Sequence, residues 1–328
     1  MINKLSQYRS QLTGLMILWV IFFHFDCKVN GFVLQTIKSD GYGGVDGFFF
    51  LSGMGLYISL CRDQNLKHFY CRRFIRILPT FYPVLFIWIL FYIFTNHPEN
   101  VPGFIISNIT GQAFWNNTFP RFDWYLASLW IFYFLAPICW HLTALPQKRY
   151  FILAIAVSLL YGSVFQGELA LIAVSRIPIF LVGMAFGKLL SDGKELRRAE
   201  ELFLYALSIL GFIILRIFNQ YFPGTLWKYG TCWYPFILII PGLFLMLVRI
   251  FDTLQKNRYL DLINKLLGML GSVTLELYLI HVFFFVHLFK NNYVTLLLSF
   301  VLAFPYHHLT GKASEYLKDK FLTSKAAT

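Results

Sequence analysis

Among the ionisable side chains inside the long apolar stretches of this 328-residue sequence, four matter most for chemistry: His24, Asp46, Glu276 and His281. A titratable group in such surroundings is costly to keep, which alone makes it a candidate for function. His24 and Asp46 offer the clearest chemistry. An imidazole beside a carboxylate can work as a general base, the carboxylate fixing the tautomer and stabilising the imidazolium; the same two groups can equally be a polar contact between packed helices. Glu276 and His281 lie five residues apart, about 140° around a helix, so they face different directions and do not form a dyad with each other. Glu276 has to be neutral or paired, and His281 can line a substrate cavity or pack structurally.

A second constellation is cationic. Arg72, Arg73 and Arg76 fall in the segment RDQNLKHFYCRRFIRILP, where Arg73 and Arg76 are three apart and share one helix face. Two forked guanidiniums on one face suit a phosphate group; they also suit lipid headgroups. An oxyanion in acyl chemistry needs a donor, for which Ser52, Tyr278 and the indole of Trp124 are available, each also at home in packing or at a membrane interface. The five cysteines form no pattern with metal-ligand spacing, and no metal site is expected. Cys27 and Cys232 both fall near the outer face, leaving a pairing open. His307 and His308, together with His68, His97, His141 and His287, read as interfacial or structural.

The elements that carry these residues are membrane spans. Of the residues, 58% are hydrophobic, 20% aromatic and only 13% charged, against roughly 25% charged in a soluble domain. Apolar runs long enough for a ~30 Å hydrocarbon layer recur along the chain. They predict an all-α polytopic membrane protein, a bundle of about ten spans near 12-26, 43-62, 79-95, 123-143, 149-166, 173-191, 202-219, 232-251, 270-288 and 292-308, followed by a short cytoplasmic tail at 309-328. The whole chain, 1-328, is expected to be one membrane-embedded domain. The opening segment lacks a small-residue cleavage site and reads as the first span. Segment 62-78 mixes cations with aromatics, predicting a short interfacial helix closed by Pro79.

Charge sets the orientation. With the N-terminus inside, 21 of the 28 Lys and Arg fall on the cytoplasmic side, as does the C-terminus. The net charge of +12 therefore reports topology and contact with anionic lipid, and nucleic acid is not an expected partner. Two outer-loop sequences, Asn108-Ile-Thr110 and Asn116-Asn-Thr118, fit the glycosylation pattern. Around Asp46 the run GYGGVDGFFFLSGMG holds six glycines, which permit close helix approach.

Taken together, GGVDGFFFLSG at 43-53 and FYCRRFIRILPTFYP at 69-83 resemble membrane acyltransferase family 3, integral-membrane O-acyltransferases that modify sugars. WYLASLWIFYFLAP at 124-137, RIPIFLVGMAFGKLL at 176-190 and TLELYLIH at 274-281 add to the resemblance, which spans most of the chain. Two departures stand out. Members typically carry an arginine in a phrase like L-R-G-L upstream of the first-helix histidine, where LTGL here has Thr13; Arg9 lies one turn earlier, about 6 Å along the same face. The paired glutamates of many polysaccharide-modifying members are replaced by Leu129 and Trp130, which resembles the single-domain branch.

What the resemblance implies is a transfer of an acyl group, most often acetyl, from cytoplasmic acyl-CoA to a sugar hydroxyl of a cell-surface glycan or lipid-linked saccharide, in a bacterial inner (plasma) membrane. It assigns His24 to acyl transfer and Arg73 and Arg76 to the acyl-CoA phosphates; beside these, the residue reading places Asp46 next to His24 and adds Arg72, with Arg9 or Thr13, to the phosphate site. Along one helix Arg9 and His24 would be ~22 Å apart and Thr13 and His24 ~16 Å, comparable to a pantetheine arm. Direct transfer and a transient acyl-enzyme both fit these residues. A glycan transporter or flippase and a non-catalytic member of the fold are the alternatives, and homo-oligomerisation stays open.

Overall fold

The computed structural model describes residues 1-164, 170-222, 230-288 and 291-323, and every regular element among them is helical. In chain order the helices are α1 (Ile2–Gln7), α2 (Arg9–His24), α3 (Phe32–Ser39), α4 (Gly44–Arg62), α5 (Leu66–Asn96), α6 (Val101–Ile109), α7 (Gln112–Trp115) and α8 (Tyr125–Ala144). There follow α9 (Lys148–Val164), α10 (Leu171–Val174), α11 (Ile177–Ser191), α12 (Arg198–Tyr221), α13 (Pro235–Gln255), α14 (Asp261–Ser272), α15 (Thr274–Val282) and α16 (Tyr293–Lys318).

Among the described residues seven helical stretches are long and apolar enough to cross a membrane: Gly41–Arg62, Leu66–Asn96, Tyr125–Ala144, Leu171–Ser191, Arg198–Tyr221, Pro235–Gln255 and Tyr293–Leu322. An eighth is counted if Asp261–Ser272 and Thr274–His287, broken at Val273, form one span. The predicted spans at 12-26 and 149-166 correspond to α2 and α9, of 16 and 17 residues; residues 165-166 lie outside the described residues, as do 324-328 of the predicted tail. Large apolar side chains left exposed along α5 (Phe86, Ile87, Phe94), α12 (Phe203, Ile209, Ile213) and α16 (Leu297, Val301) have hydrocarbon as their natural solvent. This is an integral membrane protein.

Two boundaries differ from expectation for identifiable reasons. Pro79 does not close an interfacial helix; α5 runs unbroken for 31 residues with Pro79 and Pro83 inside it. A proline removes the N–H that would bond the carbonyl four residues earlier, which for Pro79 is Ile75. The Ser314 hydroxyl of α16 donates to that Ile75 carbonyl at 3.1 Å, and further along the Tyr306 hydroxyl of α16 also donates to α5, at the Thr80 carbonyl, 2.6 Å away. A neighbouring side chain thus re-satisfies the carbonyl that Pro79 releases, the condition under which proline is tolerated in a membrane helix. The same contacts explain why α16 continues to Lys318, through residues expected to form a tail.

The helices group into two compact units. The first comprises Met1–Phe23, Gly31–Arg62 and Leu135–Ser272; the second comprises His24–Asn30, Asp63–Phe134 and Val273–Thr328. In the first, α4 packs along α11 and α12 along α13. The α4 and α11 backbones touch: a Cβ on Gly53 would overlap the Phe180 carbonyl, and one on Gly183 the Phe50 carbonyl. Phe50 fills the flank, its ring 5.1 Å from Phe186 and 5.6 Å from Phe244. In the second unit α5, α15 and α16 pack together, and a cluster of Trp88, Phe104, Phe122 and His287 supports the loop before α8. Asn108 is buried near the end of α6; its amide donates to Phe104 and Pro120 carbonyls and accepts from the Phe122 N–H, so this asparagine is committed to structure. All five cysteines are free, including Cys27 and Cys232.

Because backbone atoms cannot step aside as a side chain can, Gly183→Val is expected to destabilise the protein by about 1–3 kcal/mol or more. Thermal unfolding in detergent checks this: an unchanged midpoint would show that α4 and α11 do not depend on the contact.

Candidate functional site

In the second unit His24, the last residue of α2, presents a half-buried imidazole. Its Nδ1 faces Nε2 of His281 at 3.4 Å, with ring centroids 5.3 Å apart. His281 is fully buried in α15, and its Nδ1 lies 3.1 Å from the Leu277 carbonyl one turn earlier. The chain around His24 is pinned by the Asn291 amide, which donates to its carbonyl, and by Phe25, whose ring packs on Phe285 and Tyr293 at 5.9 and 5.2 Å. Tyr278 stands edge-on to His281 at 5.4 Å. Its hydroxyl donates to Asp123 Oδ1 at 2.6 Å, so Tyr278, an oxyanion candidate by sequence, already has an acceptor for its proton. The other Asp123 oxygen accepts the Leu126 N–H at 2.6 Å at the head of α8. Burial pushes the Asp123 carboxyl above its ordinary range against the pull of these hydrogen bonds. Trp124 is half-buried beside Tyr125, and Tyr125 in turn lies 5.2 Å from Tyr278.

The arginines occupy the opening turns of α5, in the same unit. Arg72 is bonded to Asp63 at 2.6 Å, a contact that holds the Asp63 carboxyl below its usual range. Arg73 lies over the Phe69 ring at 5.3 Å and Arg76 is exposed. Both feel tyrosines of α8, Arg73 through Tyr133 and Arg76 through Tyr125. Arg72 is thus tied to the loop ahead of the helix, while Arg73 and Arg76 lie one turn apart further along α5.

Glu276, buried on α15, is paired rather than isolated. Its Oε1 accepts from Thr310 Oγ1 at 3.2 Å and lies 3.0 Å from His307 Nδ1. His307 therefore does more than sit at an interface; its partner is a buried carboxylate across the α15–α16 contact. The missed signal is the Glu276 side chain itself, which at that depth requires a donor from a neighbouring helix.

In the first unit Asp46 opens α4 and is 1% exposed, as is its partner Arg176, with 3.4 Å between them. Arg176 also donates to the Ile172 carbonyl at 2.6 Å and lies over the Trp233 ring at 5.0 Å. The partners found for the two residues paired by sequence reasoning are therefore Arg176 for Asp46 and His281 for His24. Arg176 was not among the sequence candidates although a signal existed: an arginine three residues inside the predicted span 173-191 is as costly as Asp46. Arg9 lays its guanidinium against Gly55 of α4. The Thr13 hydroxyl donates back to the Ser10 carbonyl at 2.9 Å. Ser52 is half-buried on α4.

Two outcomes follow. Removing one member of a buried ion pair strands the other charge, so Arg176→Met is expected to cost about 3–5 kcal/mol, with most of it recovered in Asp46→Asn/Arg176→Met; denaturation in detergent would expose an uncoupled pair as simple additivity. Asp123 gives a pH signature. A carboxyl held above its ordinary value favours the protonated folded form, so its contribution is full below the unfolded pKa of about 3.9 and is lost as pH rises through the raised folded value. Asp123→Asn, whose amide can donate to the Tyr278 oxygen while capping α8, should gain in unfolding midpoint relative to the wild type as pH rises from about 4. Parallel curves would rule this out.

Residues 12–306 match the family model described as an acyltransferase domain, acyltransferase family 3. No curated protein and no solved structure matches the chain. The family match takes in both units and most of the 328 residues, so the chain belongs to acyltransferase family 3 and is a membrane acyltransferase.

Proposed function

We propose that the protein is an acyl-CoA-dependent O-acyltransferase, acetyl-CoA being the expected donor and a sugar hydroxyl of a cell-surface glycan or lipid-linked saccharide the acceptor. The observation that carries this reading is one compact unit containing both halves of the required chemistry: a half-buried imidazole at His24 backed by His281, and two guanidiniums three residues apart at the head of α5. Arg73 and Arg76 take the donor phosphates as forked cations. Arg72, tied to Asp63, is assigned to shaping that turn.

His24 accepts the proton of the acceptor hydroxyl as its oxygen attacks the thioester carbonyl. The C–S bond breaks, and the imidazolium returns the proton to the departing thiolate, so ester and free CoA thiol form with no net proton release. Asp46, held by Arg176, is assigned to the frame of its own unit. The bias of Lys and Arg toward one side supports cytoplasmic termini and a donor site at the cytoplasmic face of a bacterial inner membrane. Counting α2, α9 and the broken span with the seven long helices supports ten crossings in one functional domain.

Release of free CoA thiol from acetyl-CoA by the full chain in nanodiscs, with cell-envelope glycan as acceptor, tests this. His24→Ala is expected to lower kcat by about 10²–10⁴, and Arg73→Ala/Arg76→Ala to raise the acetyl-CoA KM with kcat preserved. A wild-type protein that consumes neither acetyl-CoA nor longer acyl-CoAs would overturn the donor assignment.

A further inference from the structure

We infer that His281 is a positioning residue that sets the tautomer of His24. The inference rests on the reading of His24 as the base. The argument runs through hydrogen-bond parity. The Leu277 carbonyl can only accept, so His281 Nδ1, 3.1 Å away, carries a proton. Burying a charge at the fully enclosed His281 ring costs several kcal/mol, so its resting state is neutral and its Nε2 is a lone pair. His24 Nδ1, 3.4 Å from that lone pair, must then be the donor. A neutral His24 protonated at Nδ1 has its basic lone pair at Nε2, on the far side of the ring from His281. One backbone carbonyl in α15 thus dictates which nitrogen of His24 accepts a proton.

The rest of the cluster makes the relay rigid. The His281 ring is set between Tyr278 and Phe285, at 5.4 and 5.9 Å. Tyr278 is itself held by Asp123, and the His24 backbone by Asn291. When His24 becomes an imidazolium during turnover, its Nδ1–H already has an acceptor in place, so nothing needs to reorganise. The role is that of the carboxylate in a hydrolytic triad, performed here by a neutral imidazole that needs no buried charge.

The test uses two readouts on the full chain in nanodiscs. In the resting wild type, ¹⁵N NMR of labelled histidines, assigned with His24→Gln and His281→Gln, is expected to show both rings protonated at Nδ1 and bare at Nε2; a His24 protonated at Nε2 would overturn the proposal without any variant having to be active. In CoA-release kinetics, His281→Leu should lower kcat by about 10² or more with the acetyl-CoA KM unchanged. His281→Gln, whose amide oxygen can accept from His24 Nδ1, should recover most of that loss. Equal activity in wild type, Leu and Gln variants, or equal loss in Leu and Gln, would each defeat the tautomer role while leaving His24 as the base. An active His24→Ala would instead defeat the reading on which the proposal rests.

Discussion

In hydrocarbon a polar group without a partner inside the protein has no water to fall back on. That constraint organises this molecule more than any single contact. It is why Ser314 reaches across to the Ile75 carbonyl released by Pro79, why Glu276 is met by His307 and Thr310, why Asp46 is met by Arg176, and why two imidazoles face each other at His24 and His281. Each pairing joins segments far apart in sequence, so satisfying the polar groups and assembling the helices are the same process.

Close helix approach is the second device, and it works where polar groups are absent. With lipid as apolar as the side chains, helices gain little from burying leucine against leucine and rely on packing at small residues. The α4–α11 seam shows this, with backbone carbonyls of each helix lying where a Cβ on the other would stand. The head of α4 combines both devices: glycines bring the backbone in, and the Asp46–Arg176 pair is closed off from solvent within the seam's own unit.

Catalysis in such a medium favours neutral groups. A carboxylate beside the base would need its own counter-charge at depth, whereas an imidazole can accept one hydrogen bond and donate another with no net charge. Asp123, a carboxylate reached from the histidine cluster through Tyr278, lies just outside a spanning helix, is bonded to Tyr278 rather than to a histidine, and is pushed toward its protonated form by burial.

Composition and run length alone determined that this chain lives in a bilayer and is all helix, because those properties depend only on the balance of apolar area against the hydrocarbon thickness. The segments around 43-53 and 69-83 were enough to name the family, and the isolated ionisable residues His24, Asp46, Glu276 and His281 were visible because charge is rare in apolar runs. What the sequence could not determine was who partners whom. Helical spacing relates residues on one helix, but Asp46 to Arg176, His24 to His281 and Glu276 to His307 are distances between helices, set by how the segments pack. The proline in α5 makes the same point. Read locally Pro79 ends a helix, and only a serine more than two hundred residues later supplies the hydrogen bond that lets the helix continue.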